Sequence, residues 1–326
     1  MLVYIRPKDG CRLAHQPTLI SATFPVARAL ALELEKLHAP AVLRYDIARL
    51  AWQLYKARTY EGHPLSIKRD VLDLRAFSRL EKTLVATGVL KPLAGLPERS
   101  VYSLIGGSIS DRNAVICSID PFCYVSHLSA MEFHGLTDRL PEQLYISAPA
   151  GKEWTAFADE RMLKDLGEER QEYRVNGLPL LRRTAVVKLG QRPVHRYASV
   201  HRGAYRALKD SPVRVATLGR TFLDMLREPG LCGGVVHVIQ VFQEHAASNQ
   251  RLILDELDQH GADIDKVRAG FILEELCKLH DPRIDAWVAL AARGGSRRLD
   301  PSAEYAPKFS ERWALSINIS APGEWA

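Results

Sequence analysis

Residues 67–104 read IKRDVLDLRAFSRLEKTLVATGVLKPLAGLPERSVYSL, and this stretch decides the fold. Between Asp70 and Thr87, large apolar residues recur at steps of three and four, the spacing of a helix that buries one face. Asp70 is the expected N-cap, because a short carboxylate accepts hydrogen bonds from the free backbone N–H groups. Gly88 is the expected end, because glycine adopts left-handed backbone at little cost. The apolar positions are Leu74, Phe77, Leu80, Leu84 and Val85.

Two β-prone runs follow this helix, Val89–Leu93 and Arg99–Ile105, and turn-forming residues join them. A helix followed by a hairpin predicts the third helix and the wing of a winged helix-turn-helix. Two earlier amphipathic stretches, Phe24–His38 and Asp46–Tyr60, predict the first two helices. Three helices and a hairpin form a complete small domain.

Basic residues occupy the opposite side of the third helix, since successive residues turn by ~100°. Residues 1–105 hold 16 Lys and Arg against 9 Asp and Glu, whereas the remainder holds 28 against 29. All of the net positive charge therefore belongs to the segment with the winged-helix pattern. This asymmetry favours a polyanion as the partner of the N-terminal part.

The sequence predicts that this helix enters the major groove of double-stranded DNA. We expect Arg75 and Arg79 to reach base edges, because a guanidinium can pair with guanine through two parallel hydrogen bonds. Ser78 is expected to contact a base or a phosphate. A basic helix face is also typical of ordinary solvated surfaces, and winged helices also dock proteins. The other predicted DNA contacts are Lys68, Arg69 and Lys82 on phosphates, and Lys91 and Arg99 in the hairpin.

The remainder, residues 108–326, predicts a larger α/β domain after the boundary Gly106-Gly107-Ser108. A subdivision of this domain near residue 230 is left open. Ala114–Ile119 and Leu144–Ser147 are expected to be strands, and Trp313–Ile319 a terminal strand. The fold class is thus α+β, with the winged helix-turn-helix domain in residues 1–105 and a helical C-terminal part. The expected helices are Tyr124–His134, Arg220–Leu226, Val235–Ala246, Arg251–His260 and Asp265–His280.

Three short sequence patterns follow one another beyond residue 110. Residues 124–130 read YVSHLSA, residues 215–226 read VATLGRTFLDML, and Leu299-Asp300-Pro301 precedes residues 312–318, RWALSIN. In this order the chain resembles the AbiEi-type antitoxins of abortive-infection, type IV toxin–antitoxin systems. The resemblance implies a bacterial repressor-antitoxin that autoregulates its operon at inverted repeats. It also implies that the C-terminal domain counteracts a nucleotidyltransferase toxin without stable contact.

A second basic stretch has no acidic residue between Tyr173 and Lys209. This composition predicts a second nucleic-acid surface or, equally, a solvated sheet face balanced by acids elsewhere. A protein-interaction adaptor that binds RNA or acidic protein through this stretch is the alternative function. The residues proposed for the surface are Arg182, Arg183, Lys188, Arg192, Arg196, Arg202 and Arg206.

No motif indicates an enzyme, a cofactor or a metal site. His127 and His134 are seven residues apart, but His134 before Gly135 is better placed to meet the last helix carbonyls. Position 122 is Phe where a nucleotidyltransferase needs a second carboxylate, and no G-x-S-x-G occurs. Five scattered cysteines without a CxxC pair, and no run of about 18 apolar residues, predict a cytoplasmic protein that does not span a membrane.

Overall fold

The structure is a computed structural model that describes residues 23–97, 99–106, 110–199, 204–291 and 297–319. Within these ranges the chain is a mixed α/β protein. The helices are α1 (Val26–Glu35), α2 (Arg44–Ala57), α3 (Leu74–Ala86), α4 (Arg112–Ile119), α5 (His127–Phe133), α6 (Gly151–Leu166), α7 (Arg170–Val175), α8 (Leu218–Arg227), α9 (Val235–His260), α10 (Asp263–Gly270) and α11 (Pro282–Trp287).

The strands form two larger sheets and two short hairpins. Strands β1, β5 and β4 make a three-stranded antiparallel sheet, and a mixed six-stranded sheet has the order β10-β11-β6-β7-β9-β8. The strands are β1 (Ala41–Leu43), β2 (Thr59–Tyr60), β3 (His63–Pro64), β4 (Leu90–Pro92), β5 (Val101–Leu104), β6 (Tyr124–Val125), β7 (Leu144–Ala148), β8 (Lys188–Leu189), β9 (Arg192–Ala198), β10 (Tyr205–Ala207), β11 (Arg214–Ala216), β12 (Phe309–Ser310) and β13 (Leu315–Ser316).

Helices α1, α2 and α3 pack on one another, and the three-stranded sheet follows in the same segment. Leu30, Ile47 and Phe77, one from each helix, are fully buried in the same hydrophobic cluster. Strand β5 lies between β1 and β4, with Leu43 opposite Val101 and Leu90 opposite Leu104. The order of elements is helix, strand, helix, short hairpin, helix and hairpin.

The third helix is confirmed, but it begins three residues later than the sequence predicts. Asp73, not Asp70, is the N-cap, and its carboxylate accepts a hydrogen bond of 2.7 Å from the backbone N of Ala76. Asp70 instead lies 3.2 Å from the guanidinium of Arg58. Gly88 has φ +76° just after the helix, as expected for the residue that ends it.

The second helix is shorter than predicted, because the chain turns before Tyr60. Arg58 has left-handed backbone with φ 60°, which stops the helix after Ala57. Tyr60 then pairs with His63 in the hairpin of β2 and β3. The predicted end of this helix at Tyr60 was therefore wrong.

Two expectations for the later chain were also wrong. Ala114–Ile119 lies in helix α4 rather than in a strand, and Asp111 caps that helix by accepting from the backbone N of Asn113 and Ala114. A short run that is apolar throughout does not distinguish a buried strand from a buried helix. Val235–His260 is one helix of 26 residues, because the polar residues at its centre include no glycine or proline that would break it.

The ends of the remaining elements lie closer to the positions that the sequence predicts. The strand Leu144–Ser147 is confirmed with one residue more, whereas the helix predicted from Tyr124 begins at His127 after strand β6. Helix α10 continues as π-helical turns to Leu276, four residues short of the predicted end. Only Leu315–Ser316 of the predicted terminal strand is paired.

Helix α2 joins the first part of the chain to the second. The Tyr45 hydroxyl donates to Asp165 at 2.9 Å, and the Trp52 indole N–H donates to Glu169 at 2.7 Å. One hydrophobic cluster extends from Val26 in α1 to Ala216 in β11. Gly107 and Ser108 of the predicted boundary lie outside the described residues. In the described ranges, no helix has both the length and the apolar character needed to cross a membrane.

Candidate nucleic-acid interface

The exposed face of α3 carries three of the predicted DNA contacts. Arg75, Arg79 and Lys82 are all exposed. At ~100° per residue they fall within a sector of ~60°, and Ser78 lies beside them and is partly exposed. The opposite side is buried through Phe77 and Leu84. The arrangement forms one projecting cationic face that a polyanion can reach.

Two predicted contacts lie outside the helix. Lys68 and Arg69 precede α3 in an irregular segment, so they are not part of its cationic face. Arg69 lies 3.7 Å from the carboxylate of Asp73, the N-cap of α3. Both side chains are exposed. Their position suits contacts beside the start of the helix rather than along it.

The hairpin of β4 and β5 supplies the other two predicted contacts. Lys91 is exposed in β4, where its partner across the sheet is Ser103. Arg99 is exposed before β5 and has left-handed backbone with φ 57°. Left-handed backbone strains a residue with a bulky side chain, so the chain must turn sharply at Arg99.

A buried ion pair sets the position of α3 against α2 and the sheet. The Arg44 guanidinium donates to both carboxylate oxygens of Glu81, at 2.7 and 3.0 Å, and it lies 5.4 Å from the centre of the Phe77 ring. The Tyr102 hydroxyl donates to the same carboxylate at 2.9 Å. Burial and this carboxylate raise the pKa of Tyr102. The sequence reasoning missed Glu81; its signal was a carboxylate on the inner side of an amphipathic helix.

The second part of the chain contacts the start of α3. The backbone N of Leu74 donates to the carbonyl oxygen of Asn176 at 3.1 Å. The side chain of Leu74 lies against Gly177. A Cβ atom placed on this glycine would lie 3.8 Å from the Cβ of Leu74. Residues after α7 therefore fix one end of the cationic helix.

The predicted second basic surface is not one surface. Arg206 lies in β10 and Lys188 in β8, which are the two outer strands of the six-stranded sheet. Five strand spacings separate them, or ~24 Å. The exposed members are Arg182, Arg183, Lys188 and Arg206, and Arg202 lies outside the described residues.

Two further members of that set have structural partners. Arg196 pairs with the buried carboxylate of Asp120, and Arg192 donates to the carbonyl oxygen of Pro141. Asp120 also accepts from the Trp154 indole at 2.9 Å. These two arginines therefore have partners within the protein, and their contact with nucleic acid stays a prediction.

His127 and His134 do not form a metal pair. His134 Nε2 donates to the carbonyl oxygen of Ala216 at 2.8 Å, a neighbouring strand rather than the last carbonyls of its own helix. His127 Nδ1 lies 2.8 Å from the Ser126 hydroxyl, and burial lowers the pKa of His127 to about 3. Among the described residues, no group of three or more His, Cys, Asp and Glu could hold a metal ion.

Comparison with known proteins gives a weak likeness to a solved structure. No protein-family model matches the chain, and no curated protein matches it. Among solved structures, the chain is similar to the Rv2827c protein of Mycobacterium tuberculosis, at 14% identity and a TM-score of 0.45. The match covers 89% of this chain and 90% of that chain. At this identity and TM-score, the likeness carries no argument about fold or function.

Proposed function

We propose that the protein is a DNA-binding transcriptional repressor and the antitoxin of a type IV toxin–antitoxin system. The observation that carries the DNA-binding part is the exposed face of α3, where Arg75, Arg79 and Lys82 project together. The concentration of net positive charge in residues 1–105 supports it as well.

The first part of the chain is proposed to be a winged helix-turn-helix. Two observations support this proposal: the order α1, β1, α2, α3, β4 and β5, with the short β2–β3 hairpin inserted between α2 and α3, and the antiparallel sheet β1-β5-β4. In this interpretation α3 is the recognition helix, and the β4–β5 hairpin is the wing. Arg75 and Arg79 read base edges, Ser78 contacts a base or a phosphate, and Lys82 contacts a phosphate. Lys68, Arg69, Lys91 and Arg99 hold the flanking backbone.

The antitoxin role rests on the three sequence patterns shared with AbiEi-type antitoxins. It implies an operator with inverted repeats before the protein's own operon and a nucleotidyltransferase toxin as functional partner. It also places the protein in the cytoplasm, where its cysteines remain thiols. Among the described residues, Cys117, Cys123, Cys232 and Cys277 are free thiols, which supports this part of the proposal.

Replacement of the two base-reading arginines tests the proposal. The double variant Arg75→Ala, Arg79→Ala should lose at least about 30-fold in affinity for the promoter of its own operon, since each bidentate contact contributes about 1–3 kcal/mol. The matched control replaces two exposed arginines far along the chain, Arg206→Ala and Arg251→Ala, and removes the same charge. A gel-shift titration at fixed salt measures both. Equal affinity of the two variants would contradict the assignment of α3.

A protein-interaction adaptor is the second candidate. Val71 and Leu74, at the start of α3, are 47% and 43% exposed and form an apolar contact area beside the cations. Such a mixed face also suits an acidic protein partner. Co-purification with one protein that persists at high salt and after nuclease treatment would favour this function, because DNA binding weakens steeply with salt.

A further inference from the structure

A cleft of about 690 Å³ lies between the two parts of the chain, beside the β4–β5 hairpin. The first part contributes the end of β1, the first two residues of α2, which are Arg44 and Tyr45, and the hairpin residues Pro97, Arg99 and Ser100. The second part contributes the segment that follows α7, as far as Ala185. The volume is in the range of about 300–1,000 Å³ that small-molecule sites occupy.

The cleft is lined by arginines without acidic neighbours among its described lining residues. They are Arg44, Arg99, Arg174, Arg182 and Arg183. Two are already neutralised, Arg44 by Glu81 and Arg174 by Asp159 at 3.1 Å. Arg99 and Arg182 have no carboxylate within 4 Å among the residues that the structure describes. Within the described ranges, the cleft therefore has positive charge that no carboxylate neutralises.

Arg183 is an exposed member of the lining. Burial, first, and the nearby Arg196 lower the pKa of Arg183, whereas Asp120 acts in the opposite direction. A bound anion would favour the charged guanidinium in the same way as Asp120 does.

The floor of the cleft is apolar and fixed. Leu43, Leu178 and Leu181 line it and are buried. The Tyr173 hydroxyl donates to the carbonyl oxygen of Pro179 at 2.7 Å, which holds this segment in place. Such a floor suits a flat apolar group, whereas a phosphate alone would leave it unfilled.

We propose that this cleft binds a phosphorylated small molecule of nucleotide size. Its phosphates contact Arg99 and Arg182, and its ring packs on the leucine floor. A DNA duplex is a convex rod that would lie across the mouth of the cleft and would not reach the floor. The cleft and the exposed face of α3 have no residue in common, although Arg99 is also one of the proposed contacts to the DNA backbone. Binding here does not require the protein to be a repressor.

Calorimetric titration of the full chain with ATP, without divalent cations, tests the site. Wild-type protein should bind ATP in one-to-one stoichiometry, and pyrophosphate at least about tenfold more weakly, because it lacks a ring for the floor. Arg182→Ala should weaken ATP binding about tenfold, since it removes a charge-assisted hydrogen bond. The control Arg206→Ala removes the same charge from an exposed site outside the cleft and should leave ATP binding unchanged.

A variant with the opposite effect keeps the test independent of folding defects. Asp159→Asn removes the carboxylate that neutralises Arg174 and should tighten ATP binding about twofold. Equal weakening by Arg182→Ala and Arg206→Ala, or no binding of ATP to wild-type protein, would overturn the proposal.

Competition with DNA separates this site from the proposed DNA interface. The double variant Arg75→Ala, Arg79→Ala should bind ATP like wild-type protein, whatever its affinity for DNA. Arg182→Ala should bind the operator duplex like wild-type protein. If the duplex displaces ATP and Arg182→Ala weakens both ligands equally, the cleft belongs to the DNA contact surface and the small-molecule proposal is wrong.

Discussion

The guanidinium of Arg44 binds the carboxylate of Glu81 through two hydrogen bonds of 2.7 and 3.0 Å, on the inner side of α3. Glu81 is 4% exposed, whereas Arg75, Arg79 and Lys82 on the outer side of the same helix are exposed. One helix therefore combines a buried anion that fixes its position with a cationic face that is free to bind.

Removal of Glu81 should destabilise the fold and move α3. Glu81→Ala leaves Arg44 and Tyr102 without their acceptor, at a cost of about 2–4 kcal/mol in the free energy of unfolding. Urea denaturation followed by circular dichroism measures the loss. The control Glu35→Ala removes an exposed carboxylate on α1 and should change the stability by less than about 0.5 kcal/mol. Equal stability of the two variants would show that the ion pair does not hold the helix.

Lys82 should contribute to DNA affinity without contributing to sequence choice. A lysine on a phosphate releases about one counterion, so Lys82→Ala should reduce the slope of log affinity against log salt by about 1. The loss of affinity should be the same for the operator and for an unrelated duplex. Fluorescence anisotropy over a salt series measures both. Lys152→Ala, an exposed lysine at the start of α6, is the control and should keep the wild-type slope. A loss confined to the operator would mean that Lys82 reads bases.

His127 should make the protein less stable as the pH falls. Its pKa is about 3 in the folded chain because of burial, below the ordinary value of 6.5, so the unfolded chain binds the proton more readily. Its contribution is complete above about pH 6.5 and is lost progressively toward pH 3. Between pH 7 and pH 5 the loss is about 2 kcal/mol.

The variant His127→Asn tests this pH dependence, because asparagine tolerates the left-handed backbone of His127, with φ 50°. The drop in unfolding free energy between pH 7 and pH 5 should shrink by that amount, while the contributions of His134 and His237, whose pKa values burial also lowers, remain. His38→Asn is the matched control, since His38 is exposed and has φ 48°. An unchanged profile in His127→Asn would show that the imidazole is solvated in the folded protein.

Gly270 should tolerate no side chain. A Cβ there would lie 2.1 Å from the indole of the buried Trp313, which packing of the second hydrophobic cluster holds in place. Alanine favours a helix over glycine by about 1 kcal/mol, but the clash should outweigh it and destabilise the protein by about 3 kcal/mol. Gly230→Ala, with open space around its Cβ, should be nearly neutral. Thermal denaturation compares the two, and equal melting temperatures would mean that the indole can move.

The sequence predicted the elements whose signals are local. Period and composition sufficed for α3 and the hairpin after it, and Gly88 marked the end of the helix. The start was misplaced because Asp70 and Asp73 are both competent caps, and only the path of the chain before Leu74 selects Asp73. Ala114–Ile119 was misassigned because burial on all sides removes the periodicity, although Asp111 was an available cap.

The roles of paired residues could not be predicted in the same way. Arg196 looked like a surface cation, but its partner Asp120 is 76 positions away in the sequence, and only the sheet brings them together. Glu81 likewise depends on Arg44, 37 positions away, and on Tyr102. The arginine-lined cleft could not be predicted, because the hairpin and the segment after α7 that line it are distant in the sequence.

The contacts of α2 with the later chain have a practical consequence for truncation. Residues 1–105 alone would bare the indole N–H of Trp52 and the ring of Tyr45, which in the whole chain are covered by α6, α7 and the residues around them. A fragment that ends at residue 105 would expose this apolar surface and would be prone to self-association. A fragment for the DNA-binding tests should therefore extend at least through α7.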